Sequence, residues 1–175
     1  DAAGKVSRQA TVTVEILKPS AAGTYADTQG YDCRFEAEWL RNTGLFVGEE
    51  VGGNACFYPD KTVTREEFLT MVVKLLEIPA GNTDSVALPA NTPTWLKPYL
   101  AAAMRSGMTA GLPASETGAF GAEEAITGGE AAVMLQNAMD LAVSVSTEVT
   151  VGKDDTQLHW AAAAISAMSD NGIDL

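Results

Sequence analysis

The chain has 175 residues, an apolar fraction of 46% and a formal charge of −12. Length and apolar content fit one or two compact domains with a real core, and make disorder a poor reading. The acidic balance repels phosphate backbones and anionic membrane surfaces, which argues against nucleic acid as the main partner, and no apolar run reaches the roughly 18 residues of a membrane span.

In chain order, the opening DAAGKVSRQ lacks the basic end and apolar stretch of a signal peptide. It is expected to lie inside a longer protein or to follow processing. Within residues 1–18, ATVTVEIL alternates at the period of a strand. It reads either as the last strand of an upstream β-sandwich or as a β-arm lying on the rest of the chain. Residues 19–23 form a linker.

Beyond residue 23 the chain repeats itself. A shift of 63 residues places Gly44 on Gly107, Gly48 on Gly111, Phe57 on Phe120, Thr64 on Thr127, Glu67 on Glu130 and Met71 on Met134. A third unit starts near His159: Trp160 stands twelve residues before Gly172, as Trp95 stands twelve before Gly107. Three units follow, at 24–79, 84–141 and a partial 150–175, and each full unit reads as helix, loop, helix. The fold class expected is mainly α, with the units packed on one another because a lone helix pair cannot bury its apolar face.

In the first unit, CRFEAEWLRNTGL predicts a helix anchored by Phe35, Trp39 and Leu40. VTREEFLTMVVKLLEI predicts a second, burying Phe68, Val72, Leu75 and Leu76. In the second unit, TWLKPYLAAAMRSGM carries Trp95, Tyr99, Leu100, Ala103 and Met104 at helical spacing, with Gly107 as its left-handed stop. Phe120 plugs the following loop to the core, and ITGGEAAVMLQNAMDL turns Ala132, Leu135, Ala138 and Met139 to one face. The third unit offers one helix, with Trp160, Ala164, Ile165 and Met168 inward. Tryptophans at this spacing read more readily as core than as ligand contacts.

Thr64 and Glu67, and again Thr127 and Glu130, have the spacing of a capping box, which explains them as structural helix caps. Arg65 needs another explanation, because a cation in the first helical turn opposes the helix dipole. Either a neighbouring carboxylate holds it, or it sits with free helix-start N–H groups as a receptor for an anion. The second unit has Gly128 in its place.

Cys33 and Cys56 are the only cysteines and His159 the only histidine, too few for a four-ligand zinc cage. The cysteine spacing is compatible with a disulfide or with two buried thiols. His159 reads as a helix-surface residue, so no triad chemistry is expected. The chain is read as a non-enzyme with no catalytic residue, metal or cofactor.

YAD at Tyr25–Asp27, GLFVGE, FYPDKTVTREEF, WLKPYLAAAMRSGM, FGAEEAITGGEAAVML and HWAAAAISAMSDNGI, in this order and spacing, resemble the S-layer homology family over residues 24–175. The resemblance implies a partial pseudo-threefold bundle of helix-loop-helix repeats. Grooves between repeats would bind a secondary cell-wall polysaccharide carrying pyruvate ketals. An extracellular surface protein of a Gram-positive bacterium would thereby be held in the cell wall or S-layer without covalent attachment. By position, Asp27 and Arg65 match the family's groove aspartate and arginine, Trp95 and Trp160 its helix tryptophan, and Gly48 its turn glycine. The second unit departs from the pattern at Gly128-Gly129, with Asp84 a poor match to the opening aspartate. The third lacks its loop and second helix, which leaves self-association through the incomplete repeat open. The other reading is a degenerate repeat domain serving as a spacer or protein-interaction module.

Overall fold

The computed structural model of the protein describes residues 24–113, 120–142 and 160–173. The strand expected in 1–18, the linker at 19–23, His159 and the start of the third unit lie outside the described residues. Among those described, the chain is mainly α, with five helices and one two-stranded hairpin. It divides into two compact units at Pro59/Asp60. That division falls inside the stretch assigned from sequence to the first repeat.

The first unit holds α1 (Arg34–Asn42), β1 (Glu49–Val51) and β2 (Asn54–Cys56). The strands pair antiparallel, Glu49 opposite Cys56 and Val51 opposite Asn54. Gly52 and Gly53 form the two-residue turn with φ of +59° and +81°, the positive pair that a tight hairpin turn demands. Two glycines between short runs are a legible hairpin signal, and the expectation of a plain loop missed it. Among the described residues the core of this unit is small. Tyr25, Ala37 and Ala55 are buried together, with Phe57 packed against them. Phe57 meets Tyr25 at 5.3 Å and Phe46 edge-on at 5.5 Å. The Arg41 guanidinium lies over the Tyr25 ring and donates to the Thr24 carbonyl.

Helix α1 therefore presents Ala37, Leu40 and Arg41 inward, one apart from the stripe expected. Phe35 is 77% exposed and Trp39 is also exposed, so neither anchors the helix. The reason is size: Ala37 lets the helix approach Tyr25 closely, and a large aromatic at that face would not.

The second unit holds α2 (Arg65–Leu75), α3 (Lys97–Arg105), α4 (Gly128–Ala138) and α5 (Ala162–Asp170). Helix α2 packs on α3 and α4, and α4 packs in turn on α5. Leu69, Val72, Val73, Leu96, Leu100, Met108 and Met134 form the main core, with Phe120 packed against it as expected. Ala132, Val133, Ala161, Ala164 and Met168 form a second cluster between α4 and α5. Small residues dominate that second contact, and α4 is covered on two sides, so Ala131 through Met134 are all buried.

On α2 the buried stripe is Leu69, Val72 and Val73, while Leu75 and Leu76 are exposed. Apolar residues at 68, 69, 72, 73, 75 and 76 offer two helical stripes. The structure takes the one continuous with Arg65, which faces α4. Met104 and Met139, also expected inside, are exposed.

All five helices end with one hydrogen-bond pattern, an N–H reaching back five residues past a left-handed residue. In α3 it is Met108 N–H to the Ala103 carbonyl at 2.9 Å, past Gly107 at φ +79°. Gly44 and Gly172 serve α1 and α5 in the same way. At α2 and α4 the left-handed position is held by Glu77 (φ +52°) and Asp140 (φ +51°).

Candidate functional site

The residues proposed from sequence fall in both units. In the first unit, Asp27 is committed inside the chain. Its carboxylate accepts from Phe57 N–H at 2.9 and 3.1 Å and from Tyr58 N–H at 2.7 Å. Those bonds hold a turn in which Tyr58 has φ +58°, a strained value for a bulky residue. The geometry thus gives Asp27 a loop-holding role. At Gly48 a Cβ would lie 2.2 Å from the Cys56 carbonyl oxygen and 2.8 Å from the Tyr25 ring. The close approach this glycine permits is that of the chain's own backbone.

Cys33 and Cys56 are both free thiols in this structure. Cys56 is buried on β2, and Cys33 is half-buried just before α1. Burial pushes the Cys56 thiol up, reinforced by the nearby charges of Asp27 and Glu49.

In the second unit both capping boxes are formed. Thr64 Oγ1 accepts from Glu67 N–H at 3.2 Å while Glu67 Oε2 accepts from Thr64 N–H at 2.9 Å. Thr127 and Glu130 repeat this at 3.3 and 2.9 Å. The two capped segments also meet each other. Thr64 and Ala125 form an antiparallel bridge, with Ile126 N–H donating to the Val63 carbonyl. Arg65 N–H donates to the Glu124 carbonyl at 2.9 Å and Glu66 N–H to the Ala122 carbonyl at 3.0 Å.

This settles the chemistry at Arg65. The first two N–H groups of α2, which the anion-receptor alternative requires to be free, are satisfied by the 122–124 backbone. Arg65 itself is only 8% exposed. Nη2 is paired with Glu130, Nη1 donates to the Phe120 carbonyl at 3.0 Å and lies 3.3 Å from Glu124, and Nε is buried without a hydrogen-bond partner among the described residues. The neighbouring-carboxylate alternative is therefore the one realised. Burial pushes the Glu130 carboxyl up, yet bonds from Arg65 and from Thr127, with the arginine charge, outweigh it and hold it below the usual range. Gly121, at φ +66°, lies against the pair: a Cβ there would come within 2.7 Å of Arg65 Nη1 and of Glu124. Beside Arg65 is a hollow of about 390 Å3 walled mainly by apolar side chains, among them Leu88, Leu100, Met104 and Leu112.

Glu66 is the opposite case. Its Oε2 is buried without a hydrogen-bond partner among the described residues. Desolvation pushes its carboxyl up, and the charges of Glu123 and Glu67 push it further.

The tryptophans depart from the core reading in a consistent way. Trp95 is 51% exposed and Trp160 is 47% exposed. Each stands two residues before its helix, α3 or α5. In each case the next residue, Leu96 or Ala161, is the one buried at 0% or 1%. The helix start is anchored by that neighbour, which turns the indole outward. What sequence reasoning missed is this one-position offset, whose signal is the apolar residue directly following each tryptophan. Among the described residues no group of three or more His, Cys, Asp or Glu is placed to hold a metal ion. No described helix is long and apolar enough to cross a membrane. No protein-family model matches the chain, and no curated protein is significantly similar to it.

Proposed function

We propose that this chain is a non-covalent cell-wall anchor of the S-layer homology type, holding an extracellular surface protein on secondary cell-wall polysaccharide. It binds and does not catalyse. The observation that carries this reading is the pair of half-exposed tryptophans, Trp95 and Trp160, at the same place in two sequence repeats. Large aromatic side chains are ordinarily buried, and an indole face left outward is a stacking platform for a sugar ring. Aromatic stacking takes the role that the family pattern would have given to Arg65.

The test is co-sedimentation of the chain with Gram-positive sacculi, before and after extraction of their secondary polysaccharide. The chain is expected to pellet only with unextracted sacculi. Trp95→Ala with Trp160→Ala is expected to weaken binding by about tenfold or more, at the 0.5–1.5 kcal/mol typical of each aromatic contact. A chain that stays in the supernatant with both preparations would sink the reading.

That outcome would favour a second reading, a structural spacer or protein-interaction module. The specific observation on its side is the Arg65–Glu130 pair, which places the arginine inside the fold. Gly128 at the equivalent position of the second unit leaves no arginine there either.

A further inference from the structure

Arg65 carries one polar group that the fold does not use. Its Nη1 and Nη2 are engaged with Phe120, Glu124 and Glu130, while Nε has no hydrogen-bond partner among the described residues. Arg65 is 8% exposed, so the donor is buried with the rest of the side chain. Buried donors are almost always paired, and an orphaned one calls for an acceptor from elsewhere.

Arg65 is also the one charged side chain among the described residues that wall the hollow of about 390 Å3. Arg65 and Leu100 are its buried side, and Ala87 and Met104, both exposed, mark its mouth. Leu100 belongs to the main core, and Leu112 and Phe120 pack against that core, so the walls are set by the fold itself. The volume falls within the range of small-molecule pockets, which are mostly apolar with few polar groups. Water is a poor occupant of such a place, because an ordered water needs about two to four polar partners.

The charges around Arg65 narrow the chemistry further. Two carboxylates, Glu130 and Glu124, already face the single guanidinium, so an anionic ligand would bring a third negative charge to it. An ammonium ligand has no lone pair to offer Nε. A neutral carbonyl oxygen satisfies the donor and adds no charge. We propose that this hollow is a binding site for a small neutral molecule with a compact hydrocarbon body and one carbonyl oxygen, such as a ketone, ester or amide. The body lies against Leu100, Leu112 and Phe120, and the oxygen accepts from Arg65 Nε. The site is independent of the polysaccharide reading, since neither Trp95 nor Trp160 is part of its wall.

The experiment is a titration of the chain, labelled with carbon-13 at its methionine methyl groups, followed by nuclear magnetic resonance. Met104 is the methionine in the wall of the hollow and serves as the reporter; Met139, at the end of α4, is the control. The probes are acetophenone, cumene and benzoate, which match in number of non-hydrogen atoms. Acetophenone has the neutral carbonyl, cumene has no acceptor, and benzoate has an anionic one. Acetophenone is expected to move Met104 and leave Met139 in place, with a dissociation constant of the order of 1 mM. Cumene and benzoate are each expected to bind about tenfold more weakly, the first for want of one hydrogen bond to a charged donor, the second through repulsion by the glutamates. Ala87→Trp, a change at an exposed site that closes the mouth, should abolish the Met104 response. Equal binding of cumene and acetophenone would show that the orphaned donor is not read. Benzoate binding as tightly as acetophenone would show that the ligand is not required to be neutral. A Met104 signal that no probe moves, or that acetophenone still moves in Ala87→Trp, would show that the hollow is not the site. Each of these three results overturns the proposal, and none bears on the wall anchor.

Discussion

At the scale of single residues, Arg65 shows how one buried ion pair decides between two chemistries. Removing it leaves Glu130 charged and 3% exposed beneath the bridge between two helix starts. Breaking a buried pair from one side commonly destabilises by about 3–5 kcal/mol. Arg65→Met is therefore expected to lower unfolding free energy by roughly that amount in urea titrations. Arg65→Met with Glu130→Gln should recover a large part of it. A loss below about 1 kcal/mol for the single variant would mean that the pair is water-screened. The two perturbed carboxyls act in opposite directions with pH. Glu130 is held below its ordinary 4.5, so its stabilisation is complete above that value and is lost as pH falls through the folded-state pKa. Glu66 is held above 4.5, so its ionised form disfavours folding at neutral pH, and that penalty is relieved as pH falls toward 4.5. Glu66→Gln should stabilise at pH 7 and remove the gain on mild acidification, while leaving the decline below pH 4.5. Thermal unfolding of both proteins across this range checks it.

At the scale of elements, the capping boxes, the glycine-ended helices and the loop plug at Phe120 were legible, because each depends on residues within a few positions of one another. The inward faces were not. Helix α2 has two apolar stripes of equal periodicity, and only the partner helix α4, meeting Arg65, selects between them. Trp95 and Trp160 misled for a related reason: their neighbours Leu96 and Ala161 compete for the same burial and win. The role of Arg65 was left between two alternatives because Glu130 is 65 residues away in sequence. The helix ends at Glu77 and Asp140 were hard to see, since glutamate does not signal a left-handed backbone and aspartate signals it far more weakly than glycine. Both are exposed, so a change to glycine removes no packing. Glu77→Gly and Asp140→Gly are each expected to stabilise by about 0.5–1 kcal/mol, and Gly107→Ala to destabilise by about 1 kcal/mol. Denaturant midpoints at unchanged slope are the measurement. Destabilisation by both glycine variants would show that the left-handed residues are held by contacts of their own side chains.

At the scale of the whole molecule, the described residues of the two units differ in how much apolar surface they enclose. The first rests on Tyr25, Ala37 and Ala55 with Phe57, the second on two larger clusters. Local opening follows buried contact, so the first unit should open at lower free energy. In native-state hydrogen exchange, the Ala37 amide, bonded to the Cys33 carbonyl, is expected to exchange at least about tenfold faster than amides of Leu69 and Val73 in the core of α2. Equal protection would mean that the units open together.

The meeting of the two capped helix starts has a further consequence. Arg65 belongs to the first cap and Glu130 to the second; the reciprocal partners would be Gly128 and Glu67. Glycine has no side chain to offer, and Glu67 turns to its own Thr64 amide, with Lys61 3.9 Å away. The link therefore has a donor side and an acceptor side and lacks two-fold symmetry. Contacts of that head-to-tail kind pass from one unit to the next in a single sense. The start of α4, which receives an arginine and has none to give, is where this link ends.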